Sequence, residues 1–358
     1  MSRTVLLNPG PVNVTERVRQ ALMLPDLCHR EKEFSDLMAA IRSKLLKAFD
    51  IEEEYTSVLV SGSGTAALEM AVSSSLTPGR SMLVIQNGVY GERISKICEI
   101  YQFRQHTIKL KWGEPPNLED IENELKQNPD IEVVALVHHE TTTGLLNPLE
   151  KVGELVQRYK KIFLVDCISS LAGDEVNFNS IDIAVGTANK CLQGFPGVSF
   201  VLFREKELQR LRKIPERTLY FNLTGYHQAQ EAGGMLFTPA IPAHYALDVA
   251  LDELIEETVA GRVQRYADAA KFLRAGFEDL GLEFLIAEGW RSNCLTGLRL
   301  PKGMSYEKLH GALKGNGFVI YAGQGNLSDN IFRVANMGDI TQEEFERFLQ
   351  TLKNICNL

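Results

Sequence analysis

The chain has 358 residues, which is enough to bury a sizeable core and to form two domains. Its content of 44% hydrophobic and 23% charged residues is ordinary for a globular protein. The net charge of −8 argues against a nucleic-acid partner and against an anionic membrane surface, and no apolar run approaches transmembrane length. The six cysteines are scattered without C-x-x-C spacing, so we expect no zinc or dithiol site and a reduced, cytoplasmic protein.

Short apolar runs alternate with amphipathic stretches through the first two thirds of the chain. Helical patterns lie between most of the runs, at 65–76, 92–101, 118–127 and 149–159. The apolar runs predict seven strands, at 57–60, 82–86, 105–110, 132–138, 162–166, 183–186 and 199–203. This alternation is typical of an α/β domain in which a seven-stranded, mostly parallel sheet is covered by helices on both faces.

The last third of the chain has a different pattern. A long helical stretch is predicted at about 244–280. Beyond it come shorter predicted strands at 283–287, 294–300, 318–321 and 331–334, and helices at 305–315 and 341–355. We therefore predict a large domain at 1–255 and a smaller C-terminal α+β domain at 256–358, and we expect the N-terminal segment of about residues 1–20 to pack on the smaller domain.

A glycine-rich turn follows the first of the seven predicted strands and opens a helix. In Ser61-Gly62-Ser63-Gly64-Thr65 the glycines let the backbone approach an anion, the helix N-terminus offers free N–H groups, and Ser63 and Thr65 add hydroxyl donors. The segment lacks both the ending of a Walker A loop and the last glycine of G-x-G-x-x-G. It therefore favours a single-phosphate site that includes Gly64 over a nucleotide site, with an ordinary turn as the alternative.

Two further strand ends carry aromatic or polar side chains. Tyr90 follows the second strand and could stack on a planar ring, although an ordinary loop tyrosine is an equal alternative. The segment 138–144, His-His-Glu-Thr-Thr-Thr-Gly, follows the fourth strand. Adjacent residues of an extended segment point to opposite faces, so its two histidines predict no metal site. Its threonines are better candidates, as hydroxyl donors to a ligand oxygen.

An aspartate and a lysine stand at two more strand ends. Asp166 ends the strand at 162–166, and Lys190 lies 24 residues later in a glycine- and proline-rich turn. Pyridoxal phosphate chemistry requires such a pair, since the lysine holds the cofactor as a Schiff base and the aspartate keeps the pyridine nitrogen protonated. A helix-capping aspartate and an exposed lysine are the alternative.

Arg333 lies inside an otherwise apolar strand of the smaller domain. Its guanidinium group suits a carboxylate or a phosphonate, and the alternative is a single solvent-facing arginine on an alternating strand. The candidates come at successive strand ends, which is the edge where α/β sheets bind ligands, so they are expected to form one site.

Segments spread along nearly the whole chain resemble the class V, fold-type I pyridoxal-phosphate aminotransferases. They are 7–11, 61–65, 87–91, 140–144, 165–166, 188–190 and 332–334. Two longer stretches, 137–148 and 188–197, most resemble the 2-aminoethylphosphonate–pyruvate transaminases. The resemblance implies an enzyme that moves the amino group between 2-aminoethylphosphonate and pyruvate, giving phosphonoacetaldehyde and L-alanine by a ping-pong reaction through pyridoxamine phosphate. It also implies a homodimer with shared active sites.

The resemblance also implies roles for individual residues. Lys190 and Asp166 match the Schiff-base lysine and the pyridinium partner, and Arg333 matches the arginine that binds the substrate's anionic group. The positions that match cofactor contacts are Ser63, Gly64, Thr65 and Asn189 at the phosphate, Tyr90 on the ring, Thr141 near the 3-oxygen, and Thr238 reaching the phosphate from the neighbouring subunit. Cys28-His29-Arg30-Glu31 departs from the Trp-Asp-Asp type sequence of many of these enzymes near the substrate entrance, where Arg30 is a further substrate-binding candidate.

Three other functions are weighed against this one. The alanine/serine–glyoxylate aminotransferases share the scaffold but tend to carry serines in the first stretch and Gln-Lys in the second. A cysteine desulfurase needs a cysteine on a mobile loop, and the segment 323–330 has none. A non-catalytic binding protein would not need both Lys190 and Asp166.

Overall fold

A computed structural model describes residues 3–356 of the chain. Within that range the helices are α1 (Glu16–Ala21), α2 (Lys32–Ala48), α3 (Gly64–Ser75), α4 (Val89–Ile100), α5 (Leu118–Gln127), α6 (Leu149–Arg158), α7 (Leu208–Leu211), α8 (Leu223–Glu231), α9 (Ile241–Glu257), α10 (Val259–Asp279), α11 (Tyr306–Gly315) and α12 (Gln342–Cys356). The strands are β1 (Val5–Leu6), β2 (Tyr55–Gly62), β3 (Ser81–Gln86), β4 (Arg104–Lys109), β5 (Ile131–Val137), β6 (His139–Glu140), β7 (Leu145–Leu146), β8 (Ile162–Asp166), β9 (Ile183–Thr187), β10 (Gly197–Arg204), β11 (Leu295–Arg299), β12 (Phe318–Val319), β13 (Tyr321–Ala322) and β14 (Ile331–Ala335).

Seven strands form the central sheet, in the order β2-β10-β9-β8-β5-β3-β4. Strand β10 runs antiparallel to both of its neighbours, and the other adjacent pairs are parallel. These are the seven strands that the sequence predicts, so the predicted α/β class with a seven-stranded, mostly parallel sheet is confirmed. No helix among the described residues has both the length and the apolar character needed to cross a bilayer.

Both faces of the central sheet are buried, because successive side chains of a strand point to opposite faces. In β8, for example, Phe163 and Val165 join one hydrophobic cluster and Leu164 joins the other. The first cluster is completed by apolar side chains of α2, α5, α6 and α9, and the second by those of α3, α4 and α8. Nearly continuous apolar strands are therefore required, as the sequence shows.

A second, smaller core lies among the C-terminal elements. Strands β11, β14 and β13 form a three-stranded antiparallel sheet, and the N-terminal strand β1 pairs in parallel with β12. Val5 is fully buried in this core together with Phe277, Phe318 and Phe348. The N-terminal strand thus belongs to the core of the C-terminal elements, while a division of the chain at residue 255 stays a prediction.

The long helical stretch expected at 244–280 is two helices, which is a correction to the sequence prediction. Helix α9 ends at Glu257 and α10 begins at Val259. Thr258 between them has φ +69°, a left-handed value that no α-helix continues through. Its side chain accepts a hydrogen bond from the backbone N–H of Gly261 at 3.0 Å and so caps α10.

Two predicted strands of the C-terminal region are also wrong in detail. The strand expected at 318–321 is divided into β12, which pairs with β1, and β13, which pairs with β14. The segment 283–287 contributes only an isolated bridge between Phe284 and Leu298. Apolar alternation predicts an extended backbone in both cases but cannot predict which partner, if any, the backbone pairs with.

We predict that Tyr266→Phe lowers the free energy of unfolding by about 1–3 kcal/mol, since it leaves two buried donors without an acceptor. The hydroxyl of Tyr266, fully buried on α10, accepts hydrogen bonds from Gln193 Nε2 at 2.7 Å and from the backbone N–H of Gly338 at 3.0 Å. Denaturant unfolding measures the change. Tyr245→Phe is the control, because the Tyr245 hydroxyl donates to the Pro25 carbonyl at the surface. Equal losses in both variants would contradict the prediction.

Candidate active site

A cavity of about 190 Å³ opens at the C-terminal ends of β2, β5, β8 and β9. Parallel strands deliver their carboxyl ends to one edge, which is why residues far apart in the sequence meet there. Eight of the residues singled out from the sequence line the cavity: Ser63, Gly64, Thr65, Tyr90, Thr141, Asp166, Asn189 and Lys190. The structure therefore brings together most of the candidate residues.

One end of the cavity is the N-terminus of α3. Ser63 is the N-cap residue and Gly64 begins the helix, whose first turn has no side-chain cap. A Cβ atom on Gly64 would lie 2.8 Å from the Ile168 side chain, so glycine is needed for the close approach of the loop after β8. The Thr65 hydroxyl accepts a hydrogen bond from Arg93 Nη1 at 3.0 Å. Uncapped N–H groups, the helix dipole and a nearby guanidinium make this end suitable for a phosphate.

Glu140 fixes the position of the segment of the cavity lining that carries Tyr90. The buried Glu140 carboxylate accepts hydrogen bonds from the backbone N–H groups of Tyr90 (3.1 Å) and Gly91 (3.2 Å) at the start of α4, and from the hydroxyl of Thr142 (2.6 Å). Burial raises the pKa of Glu140 to about 7, although these hydrogen bonds oppose the shift. Arg93, one helical turn after Tyr90, places its guanidinium carbon 4.5 Å from the centre of the Tyr90 ring.

Asp166 lies at the last position of β8, opposite Val137 of β5. Its Oδ1 accepts a hydrogen bond from the backbone N–H of Ile168 at 2.9 Å. Burial raises the pKa of Asp166 to about 6, while that hydrogen bond and the positive charges of Arg93 and Lys190 act in the opposite direction. A cationic N–H group entering the cavity would therefore hold this carboxyl group in its charged form.

Lys190 lies on the turn between β9 and β10, and its amine faces both the cavity and the N-terminal segment. Burial lowers the pKa of Lys190 to about 8, and the positive charges of Arg333 and Arg93 add to the effect. Nζ donates a hydrogen bond to the carbonyl of Pro9. The N-terminal segment covers the lysine at Gly10, which has φ +103°. A Cβ atom at this position would lie 2.6 Å from the Lys190 side chain, so only glycine permits so close an approach.

Arg333 is on β14, next to the cavity but not among the residues that line it. Its side chain is buried, with Nε donating to the Ala322 carbonyl at 2.8 Å and Nη1 to the Thr141 carbonyl at 2.7 Å. No carboxylate of residues 3–356 forms an ion pair with this guanidinium group. Glu140 acts on this guanidinium group only through its charge and forms no ion pair with it, so an anionic ligand would supply the direct partner that the buried cation lacks.

Besides Arg333, two predicted site residues do not line this cavity. Arg30 is an exposed residue just before α2, and Thr238 is an exposed residue just before α9. Neither side chain is among the residues of this chain that line the cavity.

Arg93, Glu140 and His139 belong to the site but are not predicted from the sequence. His139 lines the cavity, whereas His138 lines a separate cleft beside Asn147 and Glu150, as opposite faces of an extended segment require. No three His, Cys, Asp or Glu side chains in the described part of the chain converge as a metal site would require. A signal for His139 was available in the sequence, because it lies two residues before the predicted site residue Thr141, and both line the cavity.

We predict that an amine-selective acylating reagent modifies Lys190 in the cofactor-free protein with a midpoint near pH 8. Only the neutral amine reacts, and the folded-state pKa of Lys190 is lowered, so labelling should rise as the pH increases through that value. Peptide mass spectrometry across a pH series measures the modified fraction at this residue. Labelling that rises only near the ordinary lysine pKa of about 10.4 would contradict the prediction.

Comparisons with known proteins point to one family. The family model described as aminotransferase class-V matches residues 18–323. The chain is 34% identical to a 2-aminoethylphosphonate–pyruvate transaminase of Lysinibacillus sphaericus, over 99% of this chain and 98% of the relative. It is 35% identical to a protein of the same name from Bacillus cereus (97% and 96% covered), and 35% identical to an uncharacterized aminotransferase of Methanocaldococcus jannaschii (96% and 90% covered).

Solved structures agree with this result. An alanine–glyoxylate aminotransferase from Nostoc sp. superimposes with a TM-score of 0.92 at 28% identity, covering 99% of this chain and 96% of the other. A pyridoxamine–pyruvate aminotransferase from Mesorhizobium loti gives a TM-score of 0.92 at 26% identity, with 100% and 93% covered. The expected family resemblance is therefore confirmed, and the chain belongs to the class-V aminotransferases, the fold-type I transaminases that use pyridoxal phosphate.

Proposed function

We propose that this chain transfers an amino group between 2-aminoethylphosphonate and pyruvate, with pyridoxal phosphate bound in the cavity. The observation that carries the proposal is the buried guanidinium of Arg333, which lies beside the cavity without a carboxylate partner in the described chain. The fork of an arginine suits the oxygens of a phosphonate or a carboxylate. Relatives named 2-aminoethylphosphonate–pyruvate transaminase, 33–35% identical over nearly the whole chain, favour the phosphonate.

The donor set of the cavity fits pyridoxal phosphate. The N-terminus of α3, with Ser63, Gly64 and Thr65, offers N–H and hydroxyl donors to a phosphate, and Asn189 faces the same cavity. The buried carboxyl group of Asp166 suits a protonated ring nitrogen, and Tyr90 and Thr141 are available to the ring face and the 3-oxygen. When bound, the cofactor supplies an electron sink that stabilises a carbanion at the carbon bearing the amino group.

The reaction assigns a proton-transfer role to Lys190. The lowered pKa of Lys190, about 8, leaves a usable fraction of neutral amine near neutral pH. Nζ can therefore remove the proton from the substrate carbon that bears the nitrogen and later deliver it to the cofactor side of the same nitrogen. Asp166 keeps the ring nitrogen protonated through its charge. Arg333 binds the anionic group of the substrate and so orients that carbon toward Lys190. Pro9 and Gly10 cover Lys190 and limit the access of water.

The second candidate is an alanine/serine–glyoxylate aminotransferase. The superposition on the Nostoc enzyme favours it, and Arg333 would accept a carboxylate as readily as a phosphonate. A cysteine desulfurase is disfavoured, because the segment 323–330 contains no cysteine and Cys294 is fully buried, with its pKa raised by burial.

We propose in addition a homodimer whose partner completes each site. Thr238 and Arg30 are exposed on the single chain, as expected for groups that act on the site of a second copy. The native mass in solution tests this proposal, and a single-chain mass for the cofactor-loaded protein would contradict it.

Rapid formation of alanine from 2-aminoethylphosphonate and pyruvate is the expected result for the purified, cofactor-loaded protein. Serine with glyoxylate, assayed in parallel, should give little product. Lys190→Ala should abolish turnover, because no other described side chain provides an amine at the same position of the cavity. Activity with serine and glyoxylate alone would replace the proposed substrate by the second candidate, and substantial turnover by Lys190→Ala would contradict the assigned mechanism.

Arg333→Gln should lower kcat/KM for the phosphonate substrate by roughly 30-fold or more, mainly through KM, as expected for the loss of about 2–5 kcal/mol when one partner of a buried charge pair is removed. Arg299→Gln is the matched control. Arg299 lies on the neighbouring strand β11 but is exposed, at 3.5 Å from Glu283. Steady-state kinetics of both variants measures these changes. An equal rise of KM in the two variants would contradict the role of Arg333.

A further inference from the structure

His139 is a buried side chain of the cavity wall to which the reaction above gives no role. It lies on β6, two residues after Val137, which pairs with Asp166. The residue is 1% exposed, and it lines the same cavity as Asp166 and Lys190. Its backbone carbonyl accepts a hydrogen bond from the Ser169 hydroxyl at 3.0 Å, so His139 lies beside the chain that continues from Asp166.

The hydrogen bonds on the outer side of the ring determine which nitrogen carries the proton. Nδ1 lies 3.2 Å from the carbonyl oxygen of Ser169, which can only accept, so Nδ1 must be the donor. Nδ1 also lies 3.2 Å from the Ser292 hydroxyl oxygen, whose own hydrogen is directed to Asp174 Oδ2 at 2.7 Å. Burial lowers the pKa of His139 to about 3, so the ring is neutral. The proton is therefore on Nδ1, and Nε2 has a free lone pair.

That lone pair has no donor within the described part of the chain. Nε2 is buried and has no hydrogen-bond partner among residues 3–356. Buried polar atoms of native proteins nearly always have a partner. Nδ1 of His138 and of His227 and Nε2 of His244 are also buried without one, but of these four histidines only His139 lines the cavity, so a ligand bound there can supply its missing partner. It must bring an N–H or O–H group, because the Nδ1–H tautomer can only accept at Nε2.

The position of His139 indicates which part of the ligand it meets. Its contact with Ser169 and the pairing of Val137 with Asp166 place it on the Asp166 side of the cavity. Given the proposed function, on which this inference rests, that side receives the pyridine ring. The ring presents two hydrogen-bond donors, the protonated nitrogen and the 3-hydroxyl, and Asp166 takes the first.

We propose that His139 Nε2 accepts the hydrogen bond of the 3-hydroxyl of bound pyridoxal phosphate. Thr141, two residues later in the chain, lines the same cavity and is available to donate to the same oxygen. A lone pair directed at the 3-oxygen stabilises the hydroxyl form over the phenolate form. His139 is thus a cofactor-contacting residue, and Ser292 and Asp174 are positioning residues that act through it by holding the tautomer.

Two substitutions separate the two nitrogens of the ring. His139→Asn keeps a donor at the position of Nδ1 and removes the acceptor, whereas His139→Gln places an oxygen near the position of Nε2. In the cofactor-loaded protein without substrate, the Asn variant should raise the cofactor dissociation constant roughly tenfold, the loss expected for one hydrogen bond. It should also shift absorption toward the longer-wavelength phenolate band. The Gln variant should stay close to the parent protein in both measurements.

The controls keep this inference distinct from the proposed function. His138→Asn changes an equally buried histidine that faces the other cleft, and it should alter neither measurement. Lys190→Ala should lose the absorption band of the lysine-bound cofactor. If the parent protein lacked that band, the proposed function would fail; if it had the band and His139→Asn matched it in dissociation constant and spectrum, only the role of His139 would fail.

A measurement on the unsubstituted protein tests the same point if His139→Asn does not fold. In protein labelled with ¹⁵N-histidine, the unprotonated Nε2 resonance of His139, assigned with His139→Gln, should move when pyridoxal phosphate binds. The resonances of His138 should not move. A stationary His139 Nε2 resonance with the cofactor bound would overturn the proposal.

Discussion

The antiparallel pairing of β10 with both β9 and β2 is the constraint on which the site depends. Gly197 pairs with Gly62 on one side and Ser199 pairs with Thr187 on the other, so the turn that carries Lys190 returns to the edge where α3 begins. The Ser199 hydroxyl donates to the Gly62 carbonyl at 3.0 Å and lies 2.9 Å from the Thr187 hydroxyl. A single strand thus holds the amine and the anion-binding helix terminus at a fixed separation.

Burial shifts the pKa values of the ionisable groups at this edge of the sheet. Removal from water lowers the pKa of Lys190 and raises that of Asp166, and the two groups partly stabilise each other. Arg333 adds a buried positive charge that donates to two carbonyl groups but forms no ion pair within the described chain. Burying these charges costs folding free energy, and a ligand of complementary charge would offset part of that cost.

The strand ends could be predicted because each has a local signature. An apolar run that ends in an aspartate, a glycine-rich turn before a helix, and a lysine in a proline-containing turn are visible without a structure, and most of them do meet in one cavity. The role of Glu140 could not be predicted, because its carboxylate acts on backbone N–H groups about 50 residues earlier in the chain. The division of the helix at Thr258 was missed for a similar reason, since threonine is only mildly unfavourable inside a helix and its capping geometry is a property of the folded backbone.

The amino-acid sequence by itself determined the fold class, the seven strands of the central sheet and the family, because apolar periodicity and short segments at strand ends are local properties of the chain. The tertiary structure alone decided the pairing of β1 with β12, the cover that Gly10 forms over Lys190, and the contact of Arg333 with the carbonyl of Thr141. It also decided the hydrogen-bond partners of the His139 ring, Ser169 and Ser292, which are 30 and 153 residues away. These features depend on burial and on hydrogen bonds between distant segments, and such interactions exist only after the two cores have packed.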